Sequence, residues 1–313
     1  STQALELNTL PSSAVIIGAG AVALEFASLW NAAGCEVTLL IRKDRVLSTW
    51  ERRASMTLTR ELKRRGVNVI ARTAVDRVDT GANLGATVHY RQGDSDEDRT
   101  AYGEVVLAAI GRVPNTDADW FRSNGLKLDE RGYVTVDGYG RTNLDGVWAL
   151  GDITPGHALA HRAFEQGITI AEKIAGADPK PVIDDTVPQV VFSFPEAASV
   201  GLTLDQAKAR EDVVEPKETA YPMLSNARML MSGEGGSMTV VSGAFANNPD
   251  MQVVLGVHIV SPIASDLIAE AEQLVGNRVP LADAARLIHP HPTFSETLGE
   301  ALLKADGRPL HTR

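Results

Sequence analysis

The residues best suited to chemistry lie near the C-terminal end, in Leu287-Ile288-His289-Pro290-His291-Pro292-Thr293-Phe294-Ser295-Glu296. Two imidazoles are fixed between prolines, and a carboxylate follows five residues after the second. A neutral imidazole works as a general base or acid when a neighbour orients its ring and holds its proton on one nitrogen, and a carboxylate does both. His291 is therefore the candidate acid–base group and Glu296 its orienting partner. A structural role competes, because Thr293-x-x-Glu296 also has the form of a capping box ahead of the apolar positions Leu298, Ala301 and Leu302.

A second reactive pattern lies near the start. Ala14-Val15-Ile16-Ile17 reads as a buried strand and passes straight through Gly18-Ala19-Gly20 into a helical pattern with Ala23 and Glu25. Gly18 suits a tight turn, Gly20 lets a pyrophosphate approach the backbone, and Ala23 takes the small position where helix meets strand. The phosphate would rest on the helix N-terminus. Gly34 stops this helix, and Val37-Thr38-Leu39-Leu40-Ile41 forms the second strand. Its tip reads Ile41-Arg42-Lys43-Asp44-Arg45, with cations where an NAD-binding chain carries an acid for the ribose 2′-hydroxyl. Arg42 and Lys43 favour the 2′-phosphate of NADP(H) over NAD(H). A solvated basic loop is the competing reading, and Asp44 could still face a ribose.

A third candidate is Asp152. The run Val147-Trp148-Ala149-Leu150-Gly151-Asp152 reads as an apolar strand ending in a carboxylate at the carboxyl edge of a sheet, where α/β folds bind ligands. Asp152 there could accept hydroxyls from a sugar-like chain, with a helix starting near Leu159-Ala160-His161 to cover it. The alternative is an N-capping Asp in a strand-ending turn.

These patterns need elements to hold them. The chain has 313 residues, enough for two or three domains at roughly 150 residues each. Hydrophobic content of 44% with 22% charged residues is that of a water-soluble globular protein, and the formal net charge of -10 argues against a nucleic-acid partner. No apolar run reaches membrane-span length, and the polar start lacks a signal-peptide pattern, so the expectation is a cytoplasmic protein. The single cysteine, Cys35, leaves no disulfide framework and no metal-binding Cys pair, and reads as a core residue; no metal site is expected. A helix is expected over about 51–65, followed by a strand at 67–70. An antiparallel excursion around Thr87-Val88-His89-Tyr90, with an acidic turn at 93–98, comes next. Glu104 to Ile110 returns as a buried strand ending at Gly111-Arg112-Val113-Pro114-Asn115. A Pro- and Asp-rich linker at 177–185 precedes an α+β module with strands at 189–192 and 253–260 and a helix from about 264 to 275.

In this order, the motifs resemble the flavin-dependent pyridine nucleotide-disulfide oxidoreductases, most closely those of the dihydrolipoamide dehydrogenase type. The resemblance rests on Gly18-Ala19-Gly20 with Glu25, Gly111-Arg112-Val113-Pro114-Asn115, Gly151-Asp152 with Leu159-Ala160-His161, Phe194-Pro195-Glu196-Ala197-Ala198-Ser199-Val200-Gly201, and His289-Pro290-His291-Pro292-Thr293 with Ser295-Glu296. It implies an α/β fold: a Rossmann-like NAD(P)-binding domain over 1–113, a central segment contacting FAD over 114–184, and an α+β dimerisation domain over 185–313. It further implies that Gly18, Gly20, Ala23 and Glu25 line the nicotinamide nucleotide and that Gly111 belongs to the cofactor-binding set. Asp152 would hold the flavin ribityl chain, and Ala158, Leu159, Ala160 and His161 would lie along the flavin. His291 with Glu296 would serve the redox dithiol of the other subunit of a homodimer. The implied reaction is hydride exchange between nicotinamide and FAD coupled to dithiol–disulfide exchange on a small or carrier-bound substrate such as lipoamide.

Two departures qualify this expectation. The basic strand tip resembles an NADPH-linked disulfide reductase of the glutathione or mycothione reductase type, which stands as the alternative, beside a non-enzymatic nucleotide-binding and dimerisation module. The family's flavin-binding half, with its own Gly-x-Gly-x-x-Gly loop and a Cys-x-x-x-x-Cys redox pair, has no counterpart in these 313 residues. The chain is therefore expected to be a C-terminal fragment, inactive by itself as a disulfide reductase.

Overall fold

The computed structural model describes residues 2–80 and 85–312. After a short helix, α1 (Thr2–Leu5), strand β1 (Ser13–Ile17) buries Ala14, Val15 and Ile16 completely. Helix α2 (Ala21–Ala32) turns Ala23, Leu24, Phe26, Ala27 and Trp30 inward and ends where Gly34 adopts φ +94°, a conformation that only glycine adopts without strain. Strand β2 (Glu36–Ile41) follows. In helix α3 (Arg52–Arg64), Leu58 and Leu62 are buried, and the Glu51 carboxylate caps the first turn by accepting from the N–H groups of Arg53 (2.6 Å) and Ala54 (2.7 Å). An acid at this end also meets the positive pole of the helix dipole.

Strand β3 (Asn68–Ala71) completes one edge of the sheet. The chain then leaves it for an antiparallel three-stranded excursion, β4 (Thr73–Thr80), β5 (Ala86–Gln92) and β6 (Arg99–Gly103), and returns in β7 (Val105–Ala108). The main sheet is parallel, in the order β3-β2-β1-β7. β-Branched and leucine side chains covered on both faces are what such a sheet requires.

Residues 111–187 form a separate compact unit. It contains the short helix α4 (Asp119–Ser123), the longer α5 (Ala160–Ile174) and a small core of Phe121, Leu126, Val134 and Ala149. Here one expectation is corrected. The run before Asp152 is not a sheet strand: Trp148 makes only an isolated bridge to Arg141, and Asp152 lies in a single 3-10 turn, Gly151–Ile153. Glycines 140, 146 and 151 take φ of +80°, +72° and +71°, and these reversals prevent the short apolar run from finding a neighbouring strand. Nor does Asp152 cap α5, whose N-cap is Leu159. The start of α5 is held instead by buried Arg162, whose Nε donates to Asp184 (2.6 Å) and Nη2 to the Pro155 carbonyl (2.7 Å).

From residue 188 the chain builds β8 (Gln189–Val191), β9 (Glu196–Gly201), helix α6 (Leu204–Ala209), β10 (Val213–Tyr221), helix α7 (Ala227–Ser232), β11 (Ser237–Phe245) and β12 (Asn248–Ser261). Helices α8 (Ala264–Gly276), α9 (Leu281–Ala284) and α10 (Glu296–Ala305) complete it. The five strands are antiparallel in the order β10-β11-β12-β9-β8. Residues up to 110 and from 188 onward make one compact unit, in which α3 is covered by both sheets. Within the second sheet, Gly256 lies opposite Gly201, and a Cβ on Gly256 would overlap the Leu202 backbone. Gly256→Ala is expected to destabilise this unit by about 1–3 kcal/mol, as overpacking does. Urea unfolding of the two proteins checks this, and an unchanged midpoint would mean the strands can separate without cost.

Candidate functional site

The loop between α9 and α10 brings His291 and Glu296 together. His291 Nδ1 lies 2.8 Å from Glu296 Oε1, with the imidazole side chain 74% exposed and the carboxylate 20% exposed. A carboxylate on Nδ1 keeps the proton there in the neutral ring, which leaves Nε2 as the free acceptor. The other carboxylate oxygen, Oε2, accepts the Thr293 N–H at 2.8 Å. Burial pushes the Glu296 carboxyl up. The Thr293 N–H, the His291 hydrogen bond and the positive fields of His291 and His311 outweigh it and hold the group below the usual glutamate range. Glu296 is thus an anion at neutral pH, as an orienting partner must be.

The capping-box expectation is half met. Glu296 does reach back to Thr293, yet helix α10 begins at Glu296 itself, with Ser295 as an N-cap that makes no side-chain cap bond. The Thr293 hydroxyl is engaged elsewhere, donating to the Pro290 carbonyl at 2.7 Å and lying 2.8 Å from Ser295 Oγ. The Asn226 side chain donates to the Thr293 carbonyl at 3.1 Å and ties the loop to α7.

His289 points the other way. Its Nε2 meets Glu270 Oε1 of α8 at 2.9 Å, its side chain is 9% exposed, and its ring fills the space beside Gly299, where any Cβ would overlap it. The hydrogen bond to Glu270 raises the His289 pKa against the opposing effect of burial. A third such pair closes the chain: His311 Nδ1 lies 2.7 Å from Glu300 Oε1. Beneath these acids, burial and the charges of Glu300 and Glu296 push the Tyr221 phenol up to about 12, so it stays neutral.

The Gly18–Gly20 loop shows the features of an anion cradle. Gly18 has φ +136°, and a Cβ on it would overlap the Ala109 carbonyl, so the turn admits glycine alone. Nothing lies within 4 Å of where a Gly20 Cβ would stand. Helix α2 starts there with no side-chain cap, so the first N–H groups of a twelve-residue helix lack a capping side chain. Ala23 is fully buried against the strand layer. The Leu47 N–H donates to the Ala19 carbonyl at 2.9 Å and fastens the loop after β2 to the glycine loop. These residues fit a nucleotide pyrophosphate.

Glu25 is committed to the backbone: its Oε1 accepts the Phe192 N–H at 3.0 Å. At the tip of β2, Arg42 and Lys43 are exposed, and their side chains make no hydrogen bond or ion pair among the described residues. Arg45 differs, since it pairs with Asp44 (2.9 Å) and donates to the Ser48 carbonyl (3.2 Å). Asp44 and Arg45 are thus each other's partners, with the Asp44 side chain still 53% exposed. In the unit spanning 111–187, Asp152, Ala158, Ala160 and His161 are exposed and Leu159 half-buried. The Gly151 N–H donates to Gln166 (2.9 Å), and Gly111 has φ +134° with nothing near its Cβ position. Cys35 is buried, and burial followed by the charges of Glu104 and Glu36 pushes its thiol up. Among the described residues, no helix is long and apolar enough to cross a membrane.

Sequence reasoning missed Glu270, Asn226 and Glu300. Glu270 and Asn226 act from elements 19 and 67 residues away from their partners, and Glu300 reaches His311 from α10, with no local spacing to mark any of them. The His289–Glu270 pair gives stability a defined pH dependence. Because the folded-state pKa of His289 is raised, its contribution is fully present below about pH 6.5, the unfolded value. It is lost as pH rises through the folded value. The difference in unfolding midpoint between the parent and Glu270→Gln is expected to be larger at pH 6 than at pH 9. Urea titrations at the two pH values measure it, and an equal difference at both would exclude the ion pair.

Known proteins resemble the chain over nearly its whole length. The profile of the pyridine nucleotide-disulphide oxidoreductases matches residues 1–167, and that family's dimerisation domain matches residues 187–302. Dihydrolipoyl dehydrogenase of Cupriavidus necator is 37% identical over 310 residues, covering 98% of this chain and 63% of the relative. The Geobacillus stearothermophilus dihydrolipoyl dehydrogenase is 37% identical over 317 residues, 99% of this chain and 64% of the relative. Among solved structures, LpdA from Mycobacterium tuberculosis superposes with a TM-score of 0.84 at 29% identity, over 97% of this chain and 63% of that one. RclA, a flavoprotein disulfide reductase of Escherichia coli induced by HOCl, gives 0.81 at 25% identity, over 96% and 66%. The chain thus spans a little under two thirds of the length of the curated relatives it matches. By the match over more than half of its residues, the chain belongs to the pyridine nucleotide-disulphide oxidoreductase family.

Proposed function

We propose that this chain is the nicotinamide-binding and acid–base part of a homodimeric flavoprotein that exchanges a dithiol for a disulfide, of the dihydrolipoamide dehydrogenase type. The observation that carries the reading is the 2.8 Å contact between His291 Nδ1 and Glu296 Oε1 on an exposed loop. A fixed tautomer with Nε2 open to solvent has no structural purpose, whereas it suits a group that takes and returns a thiol proton. The two domain matches and the dihydrolipoyl dehydrogenase relatives support the same assignment. Residues 1–113 are assigned to the nucleotide, 114–184 to contacts with FAD and 185–313 to dimerisation.

His291 would accept the proton released when a substrate thiol attacks a disulfide, and Glu296 would stabilise the imidazolium that results. Cys35 is not one of the sulfurs, being solitary, buried and held protonated. The uncapped start of α2 with Gly18 and Gly20 would bind the nicotinamide nucleotide's pyrophosphate. Asp152, exposed on its turn, would accept ribityl hydroxyls, and Ala158, Leu159, Ala160 and His161 would lie along the flavin. FAD, when bound, supplies the relay between hydride and sulfur chemistry. Glu25 is proposed to act by holding α2 to the segment after β8.

In the complete flavin-loaded protein, His291→Gln is expected to lower lipoamide turnover about 100-fold or more, the scale of losing a positioned acid–base group. Stopped-flow reduction by dithiol separates this step from hydride transfer. An unimpaired variant would return the loop to a purely structural role.

The bare cations Arg42 and Lys43 favour NADPH over NADH. Calorimetric titration of the chain is expected to show tighter binding of NADPH, abolished by the double change Arg42→Glu and Lys43→Glu. Preference for NADH in the parent would overturn this choice of nucleotide.

A further inference from the structure

Beside the tip of β2 stands the tip of β3, and it carries a cation that sequence reasoning passed over. Ile41 and Ala71 are register partners in the parallel sheet, so Arg42 and Arg72 leave neighbouring strands at the same carboxyl edge. The Arg72 N–H donates to the Lys43 carbonyl at 3.0 Å, and the Arg72 carbonyl accepts from the Gly93 N–H at 2.8 Å. The Thr73 hydroxyl, buried, donates to the Ile41 carbonyl at 3.2 Å. The two strand tips are therefore one rigid piece of backbone.

Arg72 also has φ +57°, a conformation disfavoured for any residue with a Cβ and natural for glycine. Three other non-glycine residues among those described share a positive φ, and each has local contacts, as the Arg72 backbone has with Lys43 and Gly93. Leu47 is buried with its N–H on Ala19, Glu215 lies in the β10 bulge, and the Arg278 guanidinium sits 4.2 Å from the centre of the Phe245 ring. Arg72 is exposed, and its guanidinium makes no hydrogen bond or ion pair among the described residues. An exposed guanidinium on a strand tip fixed by its own backbone, with no side-chain partner among the described residues, points to a ligand.

We propose that Arg72 is the third cation of the nucleotide site, joining Arg42 and Lys43 around a phosphate on the 2′-position of the adenosine ribose. The inference rests on the preference for NADPH argued above. It adds a residue from a different strand to that selectivity. Three cations with no acidic partner match a dianion, since Asp44 is held by Arg45 at 2.9 Å. Guanidinium groups from two strands can bracket a phosphate from two directions, whereas one strand tip approaches it from one side.

The test needs neither flavin nor turnover. Binding of 2′,5′-ADP and of 5′-AMP to the chain is measured by calorimetry for the parent, Arg72→Gly, Arg72→Lys and the Arg42→Glu, Lys43→Glu double variant. Arg72→Gly suits the backbone, so it removes the guanidinium without strain, and its unfolding midpoint should equal or exceed the parent's. Expected is a roughly ten-fold weaker affinity for 2′,5′-ADP in Arg72→Gly, the scale of one charge-assisted hydrogen bond. Binding of 5′-AMP should be unchanged, Arg72→Lys should fall between, and the salt dependence for 2′,5′-ADP should be shallower. Parent-like binding of 2′,5′-ADP by Arg72→Gly, with loss in the double variant, would overturn the role of Arg72 while leaving the strand-tip reading intact. Equal affinity of the parent for the two nucleotides would overturn both. Equal weakening of both nucleotides in Arg72→Gly would make Arg72 a support for the adenosine, and displacement by inorganic phosphate at the nucleotide's own affinity would reveal a general anion site; either result overturns the proposal.

Discussion

A single carboxylate shapes the loop that carries the reactive imidazole. Glu296 has two oxygens and two tasks: one fixes the ring of His291, the other accepts the Thr293 N–H and so closes the loop that delivers His291. Both depend on the group being ionised. Partial burial works against ionisation, and the N–H, the imidazole and the field of His311 offset it. Ring orientation and loop conformation are therefore linked through one charge. The loop is also fastened to α8 by the His289–Glu270 contact and to α7 by Asn226, so its shape does not depend on the His291–Glu296 contact alone.

The nucleotide sheet gains rigidity from its seam with the antiparallel sheet. Helix α3 is covered on both sides, which is why Glu51 and Glu61 are buried on a helix otherwise rich in arginine. The Thr239 hydroxyl lies 3.4 Å from Glu51, Arg65 pairs with Glu234, and the Arg65 guanidinium sits 4.0 Å over the Phe194 ring. Helix α2 is stitched to the same segment by Glu25 to the Phe192 N–H and by Ser28 to the Phe194 N–H. Helix α2, whose N-terminus has no side-chain cap, is thus held along its length. A cradle that does not reorganise on binding loses less free energy in ordering its donors.

Much of this was legible in the sequence because it was local. Buried β-branched runs identified β1, β2 and β7, and the spacing of Gly18 and Gly20 identified the turn between strand and helix. The five-residue separation of His291 and Glu296 is short enough for one loop to bridge. What escaped was either non-local or conformational. Glu270 is 19 residues from His289, and only the packing of α8 against the sheet brings them together. Nothing in the letters of Ala71-Arg72-Thr73 marks a left-handed residue, since that conformation is usually announced by glycine. The misread strand before Asp152 failed for the opposite reason. Val147 to Leu150 has strand composition, but composition cannot supply the neighbour that a strand must pair with.

Electrostatics at the two ends of the molecule's chemistry follow different rules. The formal net charge of -10 should repel a nucleotide phosphate, which is itself anionic. That repulsion is screened beyond about 8–10 Å at physiological salt, so distant acids count for little once the ligand is close. What remains is the local balance. At the tips of β2 and β3, the side chains of Arg42, Lys43 and Arg72 have no partner among the described residues, Asp44 is paired with Arg45, and the acidic turn of residues 93–98 begins at Gly93, bonded to the Arg72 carbonyl. Around α10 the balance is reversed, with Glu270, Glu296 and Glu300 each facing a histidine. A glutamate beside an imidazole favours its protonated form, as at His289, whose pKa the Glu270 hydrogen bond raises. The basic cluster would leave a phosphate ionised. An acidic protein can therefore bind an anion at one edge and stabilise a cation at another, because each site is governed by the charges within a few ångströms of it.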